Sequence, residues 1–224
     1  MDLPDIPEIR QLQQDVDSGK VTLEHIMAAA YLGHQPAREL LGAKAPATFS
    51  LQSMLLGGDR NWRKTMRFLG HKPAAFAACE IASVALEDYL AAPDSSPQVV
   101  TLAKDAVRAL EVWKKDPQSE LAKAGIYDKT ESFFLAVEIG GKLRDETGFY
   151  GIQLGRVIAN CYSVVLAPDN PRYVRWLGQA AEMTCRHFHV SETDICQLVA
   201  KVMIPFALGR ADRQGHTDAR NHLT

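Results

Sequence analysis

The amino-acid sequence predicts an all-α fold of about ten helices, built from antiparallel hairpins stacked as a bundle or a short solenoid-like array. Three observations carry that expectation. Apolar residues recur at helical spacing in segment after segment. Ser, Thr or Asp precedes many of these segments and Gly or Pro follows them, and no stretch alternates apolar and polar residues as a half-buried strand would. The plainest hairpin runs from Leu69 to Trp113 as an alanine-rich segment, a Pro-Asp-Ser-Ser-Pro turn and a second amphipathic segment, and the chain is organised around it.

Taken in order, Ile6, Ile9, Leu12 and Val16 mark a first helix between Pro4 and Val16, closed by Ser18-Gly19. Thr22 is placed to cap a helix from Leu23 to Leu32, with Val21 and Ile26 at staple spacing and Gly33 as its stop. Pro36 opens a short helix, Ala37 to Leu41, that ends at Gly42; Ser50 caps Leu51 to Leu56, and Gly57-Gly58 breaks it. Asp59 then caps a helix to Leu69 with Trp62, Met66 and Leu69 on one stripe and the basic residues on the other side.

Pro73 starts the alanine-rich helix to Ala91, whose Ala74, Ala75, Ala77, Ala78, Ala82 and Ala85 let neighbours approach closely. After the turn, Val99, Ala103, Ala106, Val107, Leu110 and Trp113 line one face of the next helix, and Lys104, Asp105, Arg108 and Glu111 the other. Residues 116–130 read as a polar connection with at most one helical turn. They divide an N-terminal half, 1–118, from a C-terminal half, 119–208, packed on it as one unit, with a polar tail at 209–224. The second half opens with a helix carrying Phe133, Phe134, Val137 and Leu143, interrupted by Gly140-Gly141 and divided at Gly148 from a helix to Leu166. Tyr173 to Phe188 follows under an Asn170 cap, and Ser191 with Asp194 resembles a capping box for a last helix through Leu208, bent at Pro205.

Composition narrows the function classes. The chain has 224 residues, 46% of them hydrophobic, and a net charge of −2, so it can bury a continuous core and is not globally basic as a nucleic-acid or membrane-surface protein would be. The four cysteines show no CxxC pairing, Met1 to Asp5 holds no signal-peptide pattern, and no apolar run approaches the ~18 residues of a membrane span. The expected compartment is the cytoplasm.

Two turns recur. Leu32-Gly-His-Gln-Pro-Ala37 matches Leu69-Gly-His-Lys-Pro-Ala74, 37 residues on, and Ala92-Pro-Asp-Ser-Ser-Pro97 is echoed by Ala167-Pro-Asp-Asn-Pro171. Such spacing fits helical repeats, but Gly-x-x-Pro and Pro-Asp-x-Pro punctuation also arises independently from helix chemistry, so two matching turns alone do not establish duplication. In both copies of the first turn a histidine follows a helix-ending glycine, where an imidazole can hydrogen-bond the last carbonyls of the helix just completed. The alternative is that His34 and His71 meet as paired ligands or bases.

Between Asp59 and Lys72 stand five Lys or Arg against one acid, whereas the residues before hold four against seven and those after sixteen against nineteen. Arg60, Arg63, Lys64, Arg67, His71 and Lys72 therefore form a candidate surface for an acidic protein partner, with a merely solvated face as the alternative. Nucleic acid is not expected there, because no aromatic platform accompanies the charges. Gly140, Gly141, Gly148, Gly151 and Gly155 gather beside Arg144 and Arg156; they suggest close helix crossing or, with His34, a ligand pocket between the halves. Cys185, His189 and Cys196 are the only residues with a hint of zinc-ligand spacing, and without a CxxC or HExxH pattern no metal or cofactor is assigned. No catalytic constellation is recognisable.

Tyr31-Leu-Gly-His-Gln-Pro-Ala-Arg-Glu-Leu-Leu-Gly42, with the alanine-rich helix, the Pro-Asp-x-x-Pro turn and the helix ending near Trp113, resembles uncharacterised bacterial all-helical proteins labelled as immunity proteins. The resemblance covers roughly residues 21–116 and implies a cytoplasmic helical protein that neutralises a toxin by binding it. The expected function is thus a protein-interaction module using the basic helix face. An enzyme or a small-molecule or metal-binding protein with a pocket between the halves is the second reading, and a structural homo-oligomer the third.

Overall fold

A computed structural model describes residues 7–55, 59–92, 95, 97–126 and 144–211. Among these residues the secondary structure is helical, without a strand, as expected from the apolar spacing. The helices are α1 (Pro7–Asp17), α2 (Leu23–Tyr31), α3 (Gln35–Leu41) with a 3₁₀ turn at Gly42–Lys44, α4 (Leu51–Leu55), α5 (Arg60–Leu69), α6 (His71–Ala91), α7 (Pro97–Lys115), α8 (Arg144–Leu166), α9 (Tyr173–His187) and α10 (Glu192–Ala207). The helix expected between Glu131 and Leu143, the Gly57-Gly58 break and most of the tail lie outside the described residues.

The capping residues fall where their chemistry places them. Thr22 caps α2 by accepting from His25 N, and the His25 ring answers to the Thr22 backbone N–H. Asp59 accepts from Asn61 N and Trp62 N at the start of α5, and Ser50 Oγ accepts from Ser53 N at the start of α4. At α10, Ser191 Oγ accepts from Asp194 N and donates to the Asp194 carboxylate, so the acid serves the serine hydroxyl where a capping box would have it reach back to the backbone. Asn170 accepts from Arg172 N in a tight turn, and Arg172 becomes the cap residue of α9.

The alanine-rich helix is the centre. From Pro73 to Cys79 every residue of α6 is buried, and burial continues through Ile81, Ala82, Ala85, Leu86 and Tyr89. Alanine adds little bulk beyond the backbone, so α5, α7, α8, α9 and α10 can all pack against this one helix. Those contacts decide between the two expected arrangements. In a solenoid each repeat touches its neighbours, but α6 also meets α8, α9 and α10, which lie far along the chain, and this makes a bundle. One contiguous core takes residues from both sides of position 118, from Leu12 to Ala211.

Two expectations are corrected. Residues 120–126 are helical for more than one turn, started by Ser119 Oγ accepting from Ala122 N, and they bury Ala122 and Ile126 in the common core. Gly148 does not divide two helices, because α8 runs unbroken through it. Within α8 the glycine at 151 serves packing: a Cβ there would lie 3.2 Å from a Val99 methyl and 3.4 Å from the Tyr89 hydroxyl. The tightest approach is elsewhere, at Gly178 of α9, where a Cβ would lie 2.6 Å from the carbonyl oxygen of Met54 in α4.

The two glycines rank in opposite ways against alanine. Gly178→Ala should destabilise the fold by about 1–3 kcal/mol through overpacking, since a backbone carbonyl cannot step aside. Gly151→Ala should be near neutral, because the Val99 methyl can give way and alanine is favoured in helices by about 1 kcal/mol. Urea unfolding followed by circular dichroism tests the order, and a Gly178→Ala variant as stable as the parent contradicts it.

Candidate functional site: the α2–α5 groove and its basic rim

Helix α5 separates its side chains sharply. Trp62, Thr65, Met66 and Leu69 are buried, and Trp62 stacks on Phe49 at 5.4 Å between ring centres. Arg60, Arg63, Lys64 and Arg67 are all exposed, and among the described residues none of the four is paired with a carboxylate. The N-terminus of the helix is fixed by Asp59, which also accepts from the Tyr31 hydroxyl of α2 at 2.9 Å. Burial opposes the Asp59 charge, but hydrogen bonds from Trp62 N, Ser53, Tyr31 and Asn61 N outweigh it and hold the carboxyl below its usual range. Burial raises the Tyr31 hydroxyl, so it stays protonated as a donor.

Where α5 passes α2 the two helices enclose a groove of about 650 Å³. Its floor is Ala28, Tyr31 and Thr65; half-buried Met27, Pro46 and Phe68 form the walls; Leu23, Glu24, Asn61, Lys64 and Arg67 stand at the exposed rim. Asn61, Lys64, Thr65 and Phe68 follow one helical stripe, and Arg60, Arg63 and Arg67 the next. An apolar trough thus runs along a cationic edge, with Glu24 as the acid among its lining residues. Leu23, 65% exposed, extends the apolar surface of the trough at its rim.

His71 and Lys72 do not belong to this face. Gly70 adopts φ +82° and ψ −172°, a conformation open essentially to glycine alone, and turns the chain away before His71 begins α6. The His71 ring donates through Nε2 to the carbonyl of Val164 in the last turn of α8 and meets Tyr173 edge to face at 5.3 Å. Lys72 extends its ammonium over the Phe76 ring, 5.7 Å from the centre. His34, in the same local sequence, behaves differently: its Nδ1 accepts from Ala37 N to cap the following helix, and Nε2 stands 3.5 Å from Glu8. The two histidines do not serve the carbonyls of the helices that precede them, and they occupy separate surroundings.

The remaining sites do not assemble. Gly140 and Gly141 lie outside the described residues, and Arg144 begins α8. Arg156 is exposed on α8 near His187, whose proton affinity is lowered by partial burial and by the charges of Arg186 and Arg156; His34 lies instead beside Glu8 and Arg210. Cys185 and Cys196 share the neighbourhood of Glu192, and burial raises both thiols. His189, however, turns to Asp88 of α6, and among the described residues no three metal-ligating side chains converge.

Sequence spacing did not reveal the groove, because its α2 wall comes from residues whose partner lies about forty positions on. The exposed Leu23 directly after the Thr22 cap was the available signal. No family model, curated protein or solved structure matches the chain.

Burial is the main influence on His71 and holds its imidazole below the ordinary value, against the pull of the Val164 carbonyl and the Asp169 charge. Below the ordinary histidine pKa of about 6.5 the unfolded chain therefore takes up a proton that the folded chain still refuses. Stability from this group is complete above that pH and is lost as pH falls through the folded value. Replacing His71 with Gln, which keeps a donor for Val164, should shrink the fall in urea midpoint between neutral and mildly acidic pH. An unchanged fall excludes His71 as its source; His34 and His187, both also lowered, would add to the residual slope.

Proposed function

We propose that the protein is an interaction module that captures an acidic, amphipathic helical segment of another protein in the α2–α5 groove. The observation that carries this reading is the coincidence of an apolar trough with a row of cations along its edge that have no carboxylate partner among the described residues. A helix laid in such a groove places its apolar residues on Met27, Pro46 and Phe68 and its carboxylates on Arg63, Lys64 and Arg67. Exposed cations contribute little affinity once screened, but they steer encounter and reject basic segments. Arginine is suited to this work because its planar fork can hold a carboxylate through two hydrogen bonds. A protein of this kind acts by occupying its partner's surface, which is the mode of action that the likeness to immunity proteins implies.

A photo-crosslinking amino acid at Phe68 in the protein's own cells tests the proposal, with the same group at exposed Arg108 on α7 as the control. The Phe68 position should yield a defined partner whose crosslinked peptide is acidic and of helical pattern. With that partner purified, the double reversal Arg63→Glu and Arg67→Glu should slow association at low salt by about tenfold or more and flatten its salt dependence. Equal crosslinking from Arg108, a basic crosslinked peptide, or an association rate untouched by the double reversal overturns it.

A further inference from the structure

A second cavity of about 330 Å³ lies where the end of α6, the start of the described side chains of α8 and the turn after α9 come together. Among the described residues it shares no lining residue with the α2–α5 groove. Three aromatic rings form its walls: Tyr89, 2% exposed, Phe188, 6% exposed, and Tyr150, which stands at the mouth at 49%. Ala91 and Ala92 leave room between them, and the acid on the wall is Asp88.

The carboxylate of Asp88 is held from one side. Its Oδ2 accepts from the backbone N–H of His189 at 3.1 Å and lies 3.3 Å from the His189 ring nitrogen Nδ1. Among the described residues Oδ1 has no hydrogen-bond partner, and no Lys or Arg among them lines the cavity. The side chain is only 22% exposed, so solvent screens it less than a surface acid. A partly desolvated carboxylate with one oxygen open, in a cavity walled by three aromatic side chains, complements a cation whose hydrocarbon part rests on the rings. An anion would meet the carboxylate, and a neutral apolar molecule would leave Oδ1 without a partner. The volume falls at the lower end of the range for small-molecule pockets.

From this arrangement we infer that the cavity binds a small organic ammonium ion, its charged head on Asp88 and its alkyl part against Tyr89, Tyr150 and Phe188. The site differs from the metal site considered for Cys185, His189 and Cys196, since here His189 serves by positioning the carboxylate. It also links the two halves of the chain, because Asp88, Tyr89, Ala91 and Ala92 come from α6 and its end, whereas Tyr150 comes from α8 and Phe188 and His189 from the α9–α10 turn.

The test uses the intact protein with n-butylammonium and its uncharged counterpart 1-butanol, followed by saturation-transfer and amide-shift NMR. Butylammonium should bind at millimolar concentration or below, with shifts centred on positions 88, 150 and 189, and 1-butanol should bind about tenfold or more weakly. Asp88→Asn keeps the acceptor for His189 N and removes the charge, and it should weaken butylammonium to the level of the alcohol while leaving the thermal midpoint intact. Tyr150→Leu, at an exposed position, should weaken it by about threefold to fivefold. Equal binding of amine and alcohol, undiminished binding by a folded Asp88→Asn protein, or no binding of the amine at all overturns the inference.

Discussion

The structure depends on how closely other helices can approach α6. A helix buried on nearly all sides must offer little bulk to each neighbour, and the alanines at 74, 75, 77, 78, 82 and 85 do so. The larger residues on it, Phe76, Ile81, Leu86 and Tyr89, then fill the spaces between neighbours; Phe76 meets both Trp113 of α7 and Phe206 of α10 edge to face. The same burial settles the chemistry of the inner cysteines. Cys79 and Cys161 lie wholly inside, where burial raises their thiols far from the range of reactive thiolates, so they act as small core residues.

Close packing also requires that exposed helix ends find partners, and side chains of one half supply them to the other. Tyr173 of α9 donates to the Met66 carbonyl in the last turn of α5, and His71 donates to the Val164 carbonyl in the last turn of α8. With the two rings in contact, these bonds tie the elbow at Gly70 to the C-terminal helices. The direction in which α5 leaves that elbow, and with it the outward aim of Arg63 and Arg67, is thus set by residues about a hundred positions further along. Tyr162 ties the middle of α7 to α8 by donating to the Ala106 carbonyl.

Local features were legible in the sequence and partnerships were not. Thr22, Asp59 and Ser191 cap as expected, and the apolar face of α7 is buried residue for residue, because caps and stripes are set by neighbours within a few positions. The two Leu-Gly-His-x-Pro-Ala turns show the limit. Both need their glycines, at φ +95° for Gly33 and +82° for Gly70, yet one histidine caps the next helix and the other reaches across the bundle. Within the six residues only Gln35 against Lys72 distinguishes them, and these side chains turn to Glu39 and Phe76 respectively; what differs is whether α8 lies beside the ring. The Gly178 approach to α4 and the aromatic cavity at Asp88 were hidden for the same reason, being made by segments that meet only after folding. The basic residues of α5 were readable as a stripe, and the trough beside them was not.

Helix α5 is electrostatically opposed to itself. Arg60 with Lys64 and Arg63 with Arg67 stand four apart, Arg60 with Arg63 and Lys64 with Arg67 three apart, and each like-charged pair costs about 0.2–0.5 kcal/mol on a helix surface. Arg60 also sits at the positive end of the helix dipole, offset in part by the Asp59 cap. These terms sum to about 1–2 kcal/mol against a helix of ten residues, which is too short to be stable alone. Burial of Trp62, Met66 and Leu69 supplies the difference, at about 1.5–3 kcal/mol for each such side chain. Folding gains only from Arg67, whose charge in the last turn suits the negative end of the helix dipole; at the other three positions any mixture of polar residues would solvate that face, and an acid in place of Arg63 or Lys64 would relieve the repulsion. A local arrangement that on balance opposes the fold is where a functional demand is to be sought, and the trough directly beside it is the surface on which the proposed partner would meet these charges.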